Sequence, residues 1–203
     1  MTDERLEDLP PHSRRGFFAA GLSRILRPLA NYLDERLPEG LTTVRCHLRP
    51  PGALSEAEFL DTCYRCGSCV DACPANAIEQ LRSRDTRLDG TPRIDPAKQP
   101  CVVCDEIACT AACPSGALQQ VDKFGIRVGL ARVEPNLCLR IKGDPCEACL
   151  DACPLERVAI QLDDAGRVKV IDPGDIGRGC IGCGVCQFRC PTTPQKAIRV
   201  YPY

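Results

Sequence analysis

The 203-residue chain has no tryptophan, one methionine, five phenylalanines and four tyrosines. So little aromatic volume cannot fill a large interior, because aromatic side chains carry the largest buried areas. Something else must occupy the core. No run of apolar residues is long enough for a bilayer-spanning helix. Neither sign of charge dominates: 26 Lys and Arg stand against 27 Asp and Glu. That balance excludes a basic nucleic-acid binder and an acidic tail protein. No phosphate-binding loop, dinucleotide fingerprint, zinc-protease helix or nucleophile elbow is present, and no Cys-x-x-Cys-His haem site.

What the chain does have is 17 cysteines, 16 of them in four tight groups and one, Cys46, alone. Cysteines three apart make poor disulfide partners but good ligands to one metal centre. The groups are Cys63-x2-Cys66-x2-Cys69-x3-Cys73-Pro74, Cys101-x2-Cys104-x4-Cys109-x3-Cys113-Pro114, Cys138-x7-Cys146-x2-Cys149-x3-Cys153-Pro154 and Cys180-x2-Cys183-x2-Cys186-x3-Cys190-Pro191. Their first cysteines lie 38, 37 and 42 residues apart, so the chain is an internal repeat. Each repeat closes on a small-then-aliphatic pair: Ala77-Ile78, Ala117-Leu118, Ala159-Ile160 and Ala197-Ile198.

The run C-x2-C-x2-C-x3-C-P is the bacterial ferredoxin signature: three cysteines wrap one 4Fe-4S cluster and the fourth reaches to its partner cluster. Two groups fit it unchanged. The others carry insertions between ligands, which lengthen a loop and leave the count intact. Sixteen thiolates divide into four clusters with none left over. Zinc is the structural alternative, but zinc knuckles pair C-x2–4-C units across longer loops, often with His. Here His12 and His47 lie outside the groups. Every group has its full four cysteines, which argues for electron transfer without a substrate site of its own. Cys46, beside His47, reads as a spare, partly buried thiol. Arg65, Arg140, Lys142, Arg178 and Arg189 read as solvated surface or, more sharply, as charges raising nearby potentials.

Coarse structure follows from the same stretches. Ala159–Leu162 and Arg167–Ile171 flank an Asp/Gly turn and predict a hairpin. Ile126–Val133 and Ile198–Tyr201 are β-prone. The segments after each third cysteine, such as Val70-Asp71-Ala72, predict single helical turns ended by Cys-Pro. Leu81–Pro100 reads as a polar surface loop. The expected fold is α+β, a duplicated bacterial-ferredoxin-like arrangement of two 2[4Fe-4S] modules over residues 48–203. Residues 1–47 form a separate segment. Within it Ser13-Arg14-Arg15-Gly16-Phe17-Phe18 looks like a twin-arginine export motif. Phe18, Leu22, Ile25, Leu29 and Leu33 recur at helical spacing, as in an amphipathic helix. Arg24, Arg27 and Pro28 interrupt a signal's apolar stretch, so the expectation is a retained segment and a cytoplasmic protein, membrane-associated through that helix. Export to the periplasm through Arg14 and Arg15 is the alternative.

Several blocks carry a family resemblance. Leu48-Arg49-Pro50-Pro51-Gly52-Ala53, Glu58-Phe59, Cys63-Tyr64-Arg65-Cys66-Gly67, Gly90-Thr91-Pro92 and Pro100-Cys101 resemble those of MauM/NapG-type ferredoxins. So do Cys113-Pro114-Ser115-Gly116-Ala117-Leu118, Gly129-Leu130-Ala131 and the long-gapped Cys138-Leu139…Cys146. The resemblance spans about Leu48 to Pro202. It implies a four-cluster subunit passing electrons between donor and acceptor redox proteins, with a quinol-oxidising membrane subunit among the partners. An accessory protein that binds an apo-oxidoreductase during maturation is the other functional reading. Which fourth cysteine serves which cluster stays open. The hairpin between the third and fourth groups favours pairing neighbours, with Cys190 serving the third and Cys153 the fourth. The second group's spacing is similar to that of four-cluster subunits of molybdenum oxidoreductases, which pair first with fourth and second with third.

Overall fold

Three antiparallel strand pairs carry the framework of the computed structural model, which describes residues 45–174 and 178–203. The twin-arginine-like motif and the amphipathic helix of residues 1–44 lie outside the described residues. β1 (Ile78–Gln80) pairs with β2 (Pro92–Ile94), Ile78 opposite Ile94. β3 (Leu130–Val133) pairs with β6 (Ile198–Tyr201), Ala131 opposite Val200. β4 (Ile160–Leu162) pairs with β5 (Val168–Val170). These short strands alternate with short helices: α1 (Glu56–Thr62), α2 (Ser68–Asp71), α3 (Ala108–Ala111), α4 (Ala148–Asp151) and α5 (Val185–Arg189). An α+β fold of small elements results, as expected.

The expected hairpin forms: Asp163 accepts from the amides of Ala165 and Arg167 through its side chain, which closes the turn between β4 and β5. The helical turns form too, but they begin just before each third cysteine rather than after it, so Cys69, Cys109, Cys149 and Cys186 sit inside them.

Three expectations need correction. Leu81–Pro100 is not wholly a surface loop, because Pro92–Ile94 is a strand and Thr91 is completely buried. Pro92 stands first in that strand, where its missing N–H is tolerated. Of the β-prone run Ile126–Val133, only Leu130–Val133 is strand. Ile126 and Val128 are fully buried, and the Val128 amide donates to the Ile181 carbonyl instead of to a sheet partner. Cys46 is exposed, not partly buried. The chain joins the β1–β2 pair only at Leu48, which bridges to Ile94, so burial starts after Cys46.

The core answers the shortage of aromatics. Apart from Phe59 its apolar members are small or aliphatic, and all eight residues of the repeat-closing pairs are buried. They pack against the cysteines themselves. One exception is polar: Arg49, with no exposed surface, donates to both carboxylate oxygens of Glu56, with the shortest contact at 2.6 Å, and to Thr91 Oγ1 and the Pro92 carbonyl at 2.9 Å each. Its guanidinium also lies 4.8 Å from the centre of the Phe59 ring. Glu56 also pairs with Arg45 at 3.6 Å, so the Leu48–Ala53 block, α1 and β2 are tied together around a buried carboxylate shared by two arginines.

Candidate metal centres: four thiol-lined hollows

The local backbone of each group curls. The residue before the second cysteine is left-handed in three groups: Arg65 at φ 55°, Val103 at 53° and Gly182 at 73°. For β-branched Val103 this conformation is strained by about 1–3 kcal/mol, so the surrounding loop must hold it. The curl turns successive cysteines to the same side of the loop, around a shared space, rather than to alternate sides. Another left-handed residue precedes the helical turn carrying the third cysteine, Gly67, Ile107 and Gly184 in the first, second and fourth groups.

Four hollows result, each lined by four cysteines. The first has Cys63, Cys66 and Cys69 with Cys113. The second has Cys101, Cys104 and Cys109 with Cys73. The third has Cys138, Cys146 and Cys149 with Cys190. The fourth has Cys180, Cys183 and Cys186 with Cys153. Every one of the sixteen cysteines is placed, and none is used twice. In each hollow the fourth cysteine comes from a neighbouring group: Cys113 in the first, Cys73 in the second, Cys190 in the third and Cys153 in the fourth. Cys46 lines none of the four. Much of the remaining lining is apolar, Ala117 and Leu118 in the first, Ala77 and Ile78 in the second, Ala197 and Ile198 in the third, Ala159 and Ile160 in the fourth, while Arg65, Gln80 and Ser115 also line the first and Thr192 the third.

The donors suit a multi-iron core better than one ion. Among the described residues, no three His, Cys, Asp or Glu side chains close on a single point as one zinc demands. The thiols instead ring a space, with hydrogen-bond donors aimed at their sulfurs. The Ala77 amide lies 3.3 Å from Cys73 Sγ, Leu118 3.4 Å from Cys113, Ala131 3.4 Å from Cys180 and Arg65 3.4 Å from Cys63.

Electrostatics say what the hollows need. Burial, then the neighbouring thiolates, push Cys69 and Cys109 up to about 12. Burial likewise lifts Cys183 to about 12, Cys101 and Cys149 to about 11, and Cys186 well above its ordinary value. Four such thiolates cannot gather without a cationic centre, which iron supplies while displacing the protons. Cys66 goes the other way, held low by the Ser68 hydroxyl at 3.3 Å. At Cys113 burial pushes up, but the Ser115 hydroxyl and the Leu118 amide outweigh it.

The hollows follow one another in space. Cys73 and Cys113 link first to second, and Cys153 and Cys190 link third to fourth. The Cys101 amide donates to the Cys183 carbonyl at 3.0 Å, which joins second to fourth. The order is therefore first, second, fourth, third.

Of the surface cations, Arg140 is neutralised by Glu147 at 2.8 Å, and Arg178 stacks 5.2 Å from the Phe124 ring centre. Arg65 lines the first hollow, though its guanidinium donates to the Arg87 carbonyl. Sequence reasoning missed the buried Arg49 and the hydroxyls at cysteine sulfurs. The available signal for the latter was Cys-Pro-Ser and Cys-Pro-Thr at Ser115 and Thr192, where the other repeats have Ala75 and Leu155.

Comparison with known proteins agrees with this geometry. Residues 62–117, which span the first two groups, match the 4Fe-4S dicluster domain family. The chain is 39% identical over 163 residues to the methylamine utilization ferredoxin-type protein MauM of Paracoccus denitrificans, covering 76% of this chain and 71% of that protein. It is 37% identical over 197 residues to MauM of Methylophilus methylotrophus, covering 93% and 84% respectively. Against the ferredoxin-type protein NapG of Escherichia coli it is 36% identical over 163 residues, covering 76% and 70%.

Proposed function

The chain belongs to the ferredoxin-type family of MauM and NapG, and from that premise we propose that each hollow holds one 4Fe-4S cluster and that the chain relays electrons as a subunit of a larger oxidoreductase. The observation that carries the reading is the division of sixteen cysteines into four hollows of four. The ligand sets are those of the hollows. The exchange of Cys73 with Cys113, and of Cys153 with Cys190, supports two 2[4Fe-4S] modules within residues 48–203, preceded by a separate segment over 1–47.

When bound, such a group supplies a one-electron carrier that needs no proton. The chain's own residues do the rest. The cysteines hold the irons, the repeat-closing pairs keep water from the sulfides, and the amides stabilise charge on sulfur. The Cys101–Cys183 contact keeps the two modules in electronic reach. Because every hollow has four thiols, no iron is left open to a substrate, and we assign no reaction beyond electron transfer. Donor and acceptor are redox proteins, a quinol-oxidising membrane subunit among them. Among the described residues no helix is long and apolar enough to cross a membrane. We place the protein in the cytoplasm, since sixteen thiol ligands favour a reducing compartment, and fractionation with N-terminal sequencing tests this.

The test of the central reading is elemental. Anaerobically purified protein should carry about sixteen iron and about sixteen acid-labile sulfide per chain. Zinc, or about half that iron, overturns it. Cys46→Ala should leave iron unchanged, whereas Cys186→Ala should remove or convert one cluster. Purification with native associates tests the subunit role: a stoichiometric redox-active complex supports it, and transient capture of an apo-enzyme supports the maturation reading instead.

A further inference from the structure

The four hollows differ in the donors that face their sulfurs. Ser68 Oγ lies 3.3 Å from Cys66 Sγ and Ser115 Oγ 3.5 Å from Cys113 Sγ, so two hydroxyls serve the first hollow. A thiolate on iron has no proton to give, so in each pair the hydroxyl donates. Ser115 also accepts from the Ala117 amide at 3.3 Å, which leaves its own proton for the sulfur. Thr192, beside Cys190 at 3.3 Å, is different. It lies nearer the Gln195 carbonyl, at 2.9 Å, and a single proton cannot serve both. At the equivalent position the second hollow has Ala75 and the fourth has Leu155, neither of which carries a side-chain donor. The first hollow also holds the one cysteine of the sixteen that is exposed, Cys66, and its lining residue Tyr64 is 71% exposed.

Reduction adds one negative charge, spread largely over sulfur. Donors at the sulfurs and access to solvent both lower the cost of that charge and raise the potential. Resting on the four-cluster reading above, we propose that Ser68 and Ser115 are positioning residues that make the first site the highest in reduction potential of the four. It stands at one end of the row first, second, fourth, third. A single electron leaving the second site therefore settles at the first, which is reduced by one as its neighbour is oxidised by one. No bond or proton moves. The first site is the end that collects electrons, and the exposed surface around Tyr64 is where a one-electron acceptor protein must come to draw them.

An EPR-monitored titration of the anaerobic iron-loaded full chain, with dithionite as reductant, tests this. Ser68→Ala and Ser115→Ala should each shift the highest of the four midpoints downward, and the double variant should shift it further, with the other three unmoved and iron unchanged. Ser115→Thr should restore the wild-type midpoint. Ala75→Ser adds a hydroxyl at the second hollow and should raise a different, lower midpoint. Unmoved midpoints at full iron content, or movement of a lower midpoint in the serine variants, overturn the tuning role while leaving the four-cluster reading intact. Loss of iron in the serine variants also overturns it, since the hydroxyls would then be holding the site rather than tuning it. A wild-type chain short of iron overturns both.

Discussion

Arg49 is the largest side chain wholly hidden from solvent, and it does not touch a hollow. It acts through Phe59, whose ring it covers and which lines the first hollow. A buried ion pair adds little net stability over a well-packed apolar pair, but breaking one half strands a charge. Arg45 still lies 3.6 Å from Glu56 when Arg49 is gone, so Arg49→Met should destabilise the iron-loaded protein by somewhat less than the about 3–5 kcal/mol of a fully stranded charge, and Arg49→Met with Glu56→Leu should recover part of that loss. Because loss of clusters makes unfolding irreversible, the measurement is the rate of visible bleaching in guanidinium. Equal rates for the single and double variants would refute it. At this scale the gathering of sixteen cysteines into four sets was legible because chemistry and spacing coincide. Arg49 was not, because its partner Thr91 lies 42 residues away and a lone charged residue in sequence looks solvated. The serine hydroxyls were half readable: Ser115 follows Cys-Pro, but only the fold shows its oxygen turned to the sulfur.

The elements show the same division. The β4–β5 hairpin was readable because its turn is local, an Asp and a Gly between two alternating runs. β2 was hidden because three residues beginning with proline give no periodicity. Ile126–Val128 looked like strand because buried irregular chain and strand share a composition, and only the partner tells them apart. That partner is the fourth cysteine loop, and its approach is close. A Cβ on Gly182 would lie 2.2 Å from the Gly129 carbonyl oxygen and 2.3 Å from its nitrogen, at a backbone φ of +73°. Neither backbone can yield without moving β3 or the loop of Cys180–Cys183. Gly182→Ala should thus empty the fourth hollow, leaving iron at about three-quarters of wild type by elemental analysis. Gly116→Ala is the contrast. Gly116 also has positive φ, but no atom lies within 4 Å of its would-be Cβ. It should keep full iron and lose only about 1 kcal/mol to backbone strain. Full iron in Gly182→Ala would mean the loops are free to part.

For the whole molecule, on the four-cluster reading, clusters take the place of the missing aromatic core, so iron binding and folding are coupled and the iron-free fold is the weaker of two folded forms. Charge would change with it: on that reading, four oxidised clusters at about −2 each would take the chain from a formal −1 to roughly −9. The loaded protein should elute later from an anion exchanger than the iron-free one. The two forms should also respond to pH in opposite directions. In the iron-free fold, burial holds Cys69, Cys109 and Cys183 up at about 12 against an ordinary value of 9.0. A folded pKa raised above the unfolded one contributes stability that is complete below about pH 9 and is lost as pH climbs from about 9 to about 12. The iron-free fold therefore weakens with alkali, as its neutral thiols are forced to ionise. With iron bound the ligands are thiolates already, and protons compete with the metal for them, so this form weakens as pH falls. Circular dichroism of the chelated chain should show loss of structure above about pH 9. Iron release from the loaded chain into excess chelator should quicken steadily from about pH 8 to about pH 5. An iron-free chain that gains structure in alkali would mean the buried thiols are not held neutral, and the hollows would then not be the charge traps that make iron necessary.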